Sequence, residues 1–140
     1  MKETIDNQNK QQQQALDLIT HTNTTFFLTG RAGTGKTTFL KKVREIVQKR
    51  FLILAPTGIA AINAGGQTIH SFFGFPFRAI PYGEMGELRA AKISLLRHVD
   101  TLIIDEVSMV RCDIVDAIDA TLRHYCSSNL PFGGKQVIFI

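Results

Sequence analysis

Apolar residues along the chain form continuous runs that alternate with helically spaced sets. Four continuous runs are typical of buried strands: TTFFLTG at 24–30, RFLILAP at 50–56, DTLIIDE at 100–106 and QVIFI at 136–140. The stretch 65–92 is rich in Gly, Phe and Pro and is predicted to be irregular. Continuous apolar strands that alternate with helices predict an α/β domain, with a parallel sheet covered on both faces.

Helical spacing of apolar residues supplies the other half of this pattern. It predicts helices in QNKQQQQALDLIT at 8–20, between Phe39 and Val47, in GIAAINA at 58–64 and in MVRCDIVDAIDATLRHY at 109–125. Each predicted helix follows or precedes a predicted strand. No internal repeat or domain linker interrupts the order, so the sequence predicts a single domain.

Composition adds little beyond a globular protein with a modest positive charge. The 140 residues are 44% hydrophobic and 20% charged, with a net charge of +4, which favours a polyanionic partner only slightly. The chain has no apolar run of the roughly 20 residues that span a bilayer, and its start does not resemble a signal peptide. We therefore expect no membrane association and a cytoplasmic location, in the cytosol or nucleoid of a bacterium, or a nuclear or mitochondrial location in a eukaryote. Cys112 and Cys126 are expected to be free thiols, since a helix would separate them by about 21 Å.

A glycine-rich loop follows the first predicted strand. It matches the pattern G-x-x-x-x-G-K-[ST] and consists of Gly30, Arg31, Ala32, Gly33, Thr34, Gly35, Lys36 and Thr37, with Thr38 next in the chain. Such a loop wraps its backbone N–H groups around phosphates, and the following helix offers its N-terminus to the negative charge. Lys36 is predicted to reach the β- and γ-phosphates of ATP, and Thr37 to bind Mg²⁺. The position between a strand and a helix favours this reading over a glycine turn without ligand.

Two adjacent acids end the third predicted strand. Asp105 is predicted to hold Mg²⁺ directly or indirectly, and Glu106 to orient and deprotonate a water that attacks the γ-phosphate. Acids at strand ends can also be helix caps, but their pairing with the glycine loop makes this alternative weaker. Glu106 favours hydrolysis of ATP over phosphoryl transfer to a small molecule.

Several further blocks resemble one family. The stretches APTGIAAINAGGQTIHSFFG at 55–74, IIDEVSMV at 103–110 and FGGKQVIFI at 132–140 resemble, in this order, the Pif-type helicases, which are 5′→3′ DNA motors of superfamily one and relatives of RecD. The resemblance covers roughly residues 8–140. It implies a RecA-like P-loop NTPase fold and an ATP-dependent DNA helicase that acts in DNA repair, recombination or telomere maintenance.

The resemblance also implies where single-stranded DNA binds. Within the stretch 55–74, it assigns DNA contacts to two blocks. The first is Pro56, Thr57 and Gly58, and the second is His70, Ser71 and Phe72. Thr57 can equally be a helix N-cap, and both roles can hold together. Four phenylalanines could offer stacking surfaces to bases, but at least two of them are expected to anchor a loop to the core instead: Phe72, Phe73, Phe75 and Phe77.

A glutamine in the first predicted helix is a candidate for reading adenine. Gln12 shares a face with Ala15, Leu16 and Ile19, and its amide can both donate to and accept from an adenine edge. It resembles the adenine-reading glutamine of such helicases. The run of glutamines leaves the register open, so Gln11 or a solvated side chain remains an alternative.

One departure from the family concerns the end of the chain. In these helicases the strand equivalent to QVIFI is followed at once by a Gly-Asp…Gln motif, and later by a second motor domain, neither of which lies within the 140 residues. We therefore expect residues 1–140 to be the N-terminal part of motor domain 1A, monomeric and unable to unwind DNA alone. Two alternatives remain: another P-loop ATPase of the clamp-loader or chaperone type, and a nucleic-acid-binding module without hydrolysis. The choice between DNA and RNA also stays open.

Overall fold

The computed structural model describes residues 10–31 and 35–140. Its helices are α1 (Lys10–His21), α2 (Lys36–Ile46), α3 (Gly58–Ala64), α4 (Ile69–Phe73), α5 (Ala90–His98) and α6 (Cys112–Tyr125), with 3₁₀ turns at Val107–Met109 and Pro131–Gly134. The strands are β1 (Phe26–Phe27), β2 (Phe51–Ala55), β3 (Gln67–Thr68), β4 (Thr101–Ile104) and β5 (Gln136–Phe139). Within these ranges no helix has both the length and the apolar character needed to cross a bilayer.

The strands form one five-stranded sheet in the order β1-β5-β4-β2-β3, and every pair is parallel. The centre is β4, where Ile103 lies opposite Ile53 on one side and Ile138 on the other. Parallel pairing brings all carboxyl ends to one edge, which we call the C-terminal edge. The predicted parallel α/β sheet is confirmed.

Alternate residues of the central strands point into two separate cores, as the twofold repeat of a strand requires. Ile103 packs with Ile19 of α1 and Val43 of α2 on one face of the sheet. Its neighbours Leu102 and Ile104 pack with α4, α5 and α6 on the other face. The continuous apolar runs therefore arise because both faces of the sheet are covered.

The first strand differs from its prediction. It is only two residues long, and the Phe27 side chain is 60% exposed. Within the described part of the chain β1 pairs with β5 alone, at one side of the sheet. The prediction of a buried strand here is therefore wrong for Phe27, because an edge position leaves part of the strand without neighbours.

The segment predicted to be irregular is more ordered than expected. It contains β3 and α4, and α5 begins at Ala90. Between these helices, residues 78–88 lie along α6 and donate backbone N–H groups to it. Ile80 N donates to Asp113 Oδ2, and Gly86 N donates to Thr121 Oγ1. Segment 78–88 thus has a fixed position without regular secondary structure.

Candidate functional site

The C-terminal edge of the sheet carries most of the predicted site residues. The glycine-rich loop leaves β1 at this edge and returns into α2, and Asp105 follows β4 at the same edge. Ligands of parallel α/β sheets collect outside the carboxyl ends of the strands. The topology alone therefore brings together two motifs that lie some 70 residues apart in the sequence.

Lys36 lies at the start of α2 and turns back towards the loop. Its Nζ donates to the carbonyl oxygen of Gly30, 2.6 Å away. Gly35 precedes the helix with φ 84°, a left-handed conformation that glycine adopts at little cost. Arg31, Thr37 and Thr38 are exposed. The predicted phosphate contacts of Ala32, Gly33 and Thr34 lie outside the described residues.

The acidic pair forms a tight turn after β4. Asp105 N donates to Leu54 O at 2.9 Å, and Asp105 Oδ1 accepts the N–H of Glu106 at 2.9 Å. Glu106 has φ 53°, which is uncommon for a residue with a side chain and is concentrated at functional sites. Val107 N then donates to Ile140 O at 2.8 Å, which ties the turn to the residue after β5. The turn is fixed from both neighbouring strands.

Both motifs line one cavity of about 240 Å³, which Lys36, Thr37, Asp105 and Glu106 enter together. The cavity thus combines an ammonium group, a hydroxyl group and two carboxyl groups. These are the donors that a triphosphate and Mg²⁺ require, and one protein carboxylate with one hydroxyl suffices when phosphates supply further ligands.

Two basic residues of α2 also line this cavity, and the sequence did not single them out. Lys41 and Arg44 add positive charge on the α2 side. Arg44 follows Lys36 by two steps of four residues, and this helical spacing was the signal available in the sequence. Their presence makes the cavity wall still better suited to an anion.

The first predicted DNA-contact block follows β2. Thr57 Oγ1 accepts the N–H of Ala60 at 3.3 Å, so Thr57 is the N-cap of α3. Thr57 and Gly58 are nevertheless exposed, and Pro56 is half-buried. The capping role is confirmed, while the contact with DNA stays a prediction that the exposed surface allows.

The second predicted block follows β3, the strand next to β2. Ala55 and Thr68 are in register, so Thr57 and His70 both lie two residues beyond neighbouring strand ends. Ser71 is exposed and His70 half-buried, in α4 rather than in a loop. The two blocks therefore lie side by side on the C-terminal edge.

Phe72 does not fit its predicted role. Its side chain has no exposed surface and packs in the core formed by α4, α5 and α6. The prediction that the Phe72 ring contacts DNA is therefore wrong, because α4 turns this position inward. Lys92, which the sequence did not indicate, instead donates from Nζ to the carbonyl oxygens of Ser71 at 2.7 Å and Phe72 at 2.9 Å.

Gln12 lies in the first turns of α1 and is half-buried, whereas Gln11 is exposed. Gln12 does not line the cavity that holds Lys36 and Glu106. An adenine contact by Gln12 stays a prediction, and the difference in burial favours Gln12 over Gln11.

The parallel sheet, the glycine-rich loop and the acidic turn define a P-loop NTPase domain of RecA-like fold. The family model for PIF1-like helicases matches residues 6–140, and the chain belongs to this family. The family assignment agrees with the resemblance carried by the blocks at 55–74 and 103–110.

Individual relatives support the assignment. The chain is 40% identical over 133 residues to the ATP-dependent DNA helicase PIF1 of Danio rerio, covering 92% of this chain and 20% of the relative. It is 49% identical to a Pif1 helicase from Bacteroides, whose crystal structure is a complex with ADP-AlF3 and ssDNA, with a TM-score of 0.86. That match covers 94% of this chain and 31% of the Bacteroides chain.

A further structure concerns DNA unwinding at forked dsDNA by two coordinating Pif1 helicases. The chain is similar to it with 49% identity and a TM-score of 0.88, covering 94% of this chain and 32% of that one. The chain thus spans about a fifth to a third of the length of these relatives.

Proposed function

We propose that this domain is part of an ATP-dependent DNA helicase that couples ATP hydrolysis to movement along single-stranded DNA. One observation carries the proposal: the cavity lined by Lys36 and Glu106 lies at the same edge of the sheet as the exposed residues Thr57, Gly58 and Ser71, which we call the Thr57–Ser71 face. A structural change at the nucleotide can therefore be transmitted to bound DNA through the ends of neighbouring β-strands. The complex of the Bacteroides relative with a nucleotide analogue and ssDNA supports both ligands.

In this proposal the described residues bind and hydrolyse ATP in defined roles. Lys36 exchanges its hydrogen bond with Gly30 O for phosphate oxygens, and Gly30, Arg31 and Gly35 surround them. Thr37 and Asp105 are the residues that would hold Mg²⁺, which neutralises phosphate charge when bound. Glu106 accepts a proton from the attacking water, and the hydrogen-bonded turn holds the Glu106 backbone at the cavity.

Single-stranded DNA would lie across the Thr57–Ser71 face. Thr57, Gly58 and Ser71 are exposed there and would contact phosphates, and Lys92 places a positive charge beside Ser71. The family resemblance supports 5′→3′ movement and a role in genome maintenance. We propose that the protein acts where its DNA substrate is, in the bacterial cytosol or nucleoid, or in a eukaryotic nucleus or mitochondrion.

The proposal assigns these residues to the N-terminal part of motor domain 1A, working within a monomer. The relatives are three to five times longer than the stretch they share with this chain. Unwinding requires two domains that open and close around the nucleotide. The 140 residues alone are therefore expected to bind nucleotide weakly and not to displace a DNA strand.

The deciding experiment measures ATP turnover by the protein that contains this chain, with and without single-stranded DNA. We expect stimulation by DNA in the wild type, and its loss in Lys36→Ala and in Glu106→Gln. Glu106→Gln should still bind ATP, because the amide keeps the size of the side chain but cannot accept the proton. Glu45→Gln, an exposed change on α2, is the matched control and should retain full turnover. Turnover that DNA does not stimulate in the wild type would contradict the motor.

A further inference from the structure

One aromatic ring stands apart from the phenylalanines that surround it. Phe72, Phe73 and Phe75 are at most 5% exposed, whereas the Phe77 side chain is 94% exposed. Exposing a whole aromatic side chain to water is unfavourable, since full burial of such a side chain is worth about 1.5–3 kcal/mol. An isolated exposed ring can be incidental, so its surroundings decide whether it has a function.

Phe77 is held by a column of rings that starts in the core. Phe73 stacks on Phe75 with 5.1 Å between centroids, and Phe75 meets His70 edge-on at 6.4 Å. His70 stacks on Phe77 with 4.9 Å between centroids and only 5° between the ring planes. The His70 ring therefore lies parallel to the Phe77 ring on one side, while nearly all of the Phe77 surface stays open to solvent.

The chain on both sides of Phe77 is also fixed. Asp113 of α6 accepts the Ile80 N–H, and Arg111, the residue before α6, donates from Nη2 to the carbonyl oxygen of Arg78. The residues that follow Phe77 are therefore held at the start of α6. Before Phe77, the short helix α4 is held by Lys92 through two carbonyl oxygens. Because the flanking backbone is already held, less conformational entropy is lost at this position when another ring stacks on Phe77.

The column of rings lies next to the Thr57–Ser71 face. His70 precedes Ser71 directly and lies two residues beyond β3, beside the equivalent position of Thr57 after β2. If Thr57 and Ser71 contact the phosphates of single-stranded DNA, the bases of that DNA remain free to contact other side chains. An unpaired base has a flat apolar face that stacks on aromatic side chains, whatever its sequence.

We propose that Phe77, supported by His70, is a stacking platform for an unpaired base of single-stranded DNA. The proposal rests on the proposed function, because it requires that DNA lies across the Thr57–Ser71 face. It assigns Phe77 to base contact and Thr57 and Ser71 to phosphate contact. Stacking of this kind changes affinity by about 5- to 100-fold when the ring is removed.

The test uses the whole protein that contains this chain and two oligomers of equal length, oligothymidine and its abasic counterpart with the same phosphates. Phe77→Ala should weaken binding of oligothymidine about 5- to 100-fold and leave binding of the abasic oligomer unchanged. The dependence of log Kd on log salt should keep its slope, because no phosphate contact is lost. Phe77→Trp should bind oligothymidine at least as tightly as the wild type.

Tyr82→Ala is the matched control, because Tyr82 is 92% exposed and lies five residues further along the same segment. It should change neither affinity. Equal weakening for both oligomers in Phe77→Ala, or no weakening for either, would overturn the platform while leaving the helicase proposal intact. A loss of thermal stability in Phe77→Ala without a change in base preference would instead indicate a contact within the protein, and would also overturn it. A wild-type protein that binds neither oligomer would overturn the proposed function itself, and the platform with it.

Discussion

Thr57 combines a structural role and a proposed functional role in one hydroxyl group. Its Oγ1 accepts the Ala60 N–H at the start of α3, and its side chain is exposed. A threonine oxygen has two lone pairs and one O–H, so capping uses one lone pair and leaves the O–H free to donate to a phosphate. Capping of α3 and contact with a phosphate are therefore compatible. A substitution that keeps the cap but removes the donor can distinguish the two roles.

Two substitutions at this position should differ in their effect on stability while both weaken binding of DNA. Thr57→Ala removes the cap and should lower the free energy of unfolding by about 1 kcal/mol, whereas Thr57→Asp keeps a good cap and should leave it nearly unchanged. Both should weaken binding of single-stranded DNA by about tenfold or more, since Ala has no donor and Asp repels phosphate. Urea denaturation and DNA titration measure the two quantities. If Thr57→Asp binds DNA as the wild type does, Thr57 is a cap only.

The residues that the sequence could identify are those whose role depends on local chemistry. Lys36, Thr37 and Asp105 enter one cavity as predicted, because a strand followed by a glycine loop or an acid positions them almost by itself. Phe72 was assigned wrongly because its direction depends on how α4 rolls against the core, which no short motif encodes. Lys92 was missed for the same reason: it reaches Ser71 from a helix 21 residues further along the chain.

At the scale of elements, α6 connects the acidic turn to segment 78–88. The helix begins three residues after the 3₁₀ turn at Val107–Met109, which itself follows Glu106. Along its length three side chains hold segment 78–88 by backbone N–H groups: Asp113 at Ile80, Thr121 at Gly86 and Tyr125 at Leu88. The acidic turn is therefore joined to segment 78–88 through the short chain connection into α6 and through these three hydrogen bonds.

Asp113 gives this connection a dependence on pH. The hydrogen bond from Ile80 N–H, with a further contribution from Arg111, lowers the pKa of the Asp113 carboxyl. A group whose pKa is lower in the folded state stabilises the fold above its unfolded pKa, near 3.9, and loses this effect as the pH falls through the folded value. The stabilisation is thus complete at neutral pH and fades below about pH 4.

We therefore predict that Asp113→Asn is less stable than the wild type at pH 7 and that the two unfolding curves converge as the pH falls below about 4. Urea denaturation across this range measures the difference. Asp116→Asn, an exposed change on the same helix, is the control and should follow the wild type throughout. Glu84, whose pKa is lowered by its hydrogen bond with Arg78, titrates in both proteins and cancels. A gap that stays constant with pH would rule out the carboxylate as the cause.

The sequence predicted long elements better than short ones. The fourteen-residue α6 has an apolar face that repeats over four turns, and the continuous runs of β2 and β4 are unmistakable. The five-residue α4 is too short to show a period. It forms because Thr68 caps its start, Gly74 ends it in a left-handed conformation and three of its side chains are buried. Such a helix depends on tertiary contacts that the local sequence does not show.

At the scale of the whole domain, the two edges of the sheet differ in the burial of their polar side chains. The C-terminal edge presents exposed polar side chains, whereas the opposite edge contains a buried polar network around Gln136. Gln136 Nε2 donates to Leu18 O at 3.0 Å and Thr24 O at 2.9 Å, which fixes the end of α1. Its Oε1 accepts from Thr101 Oγ1 at 3.0 Å and Lys49 Nζ at 3.3 Å. One side chain therefore joins α1, β4, β5 and the turn before β2.

This network should be a main determinant of stability, because Gln136 has no exposed surface and each of its partners would lose a hydrogen bond without it. Burial lowers the pKa of Lys49 because it disfavours the charged ammonium group, which also donates to Thr22 O at 2.7 Å. We predict that Gln136→Leu lowers the free energy of unfolding by about 2–4 kcal/mol, since the Thr101 hydroxyl, the Lys49 ammonium group and two carbonyl oxygens each lose one hydrogen bond. Gln14→Leu, an exposed change on α1, should stay within about 0.5 kcal/mol. Urea denaturation of both variants decides the matter, and equal effects would show that the network contributes nothing specific.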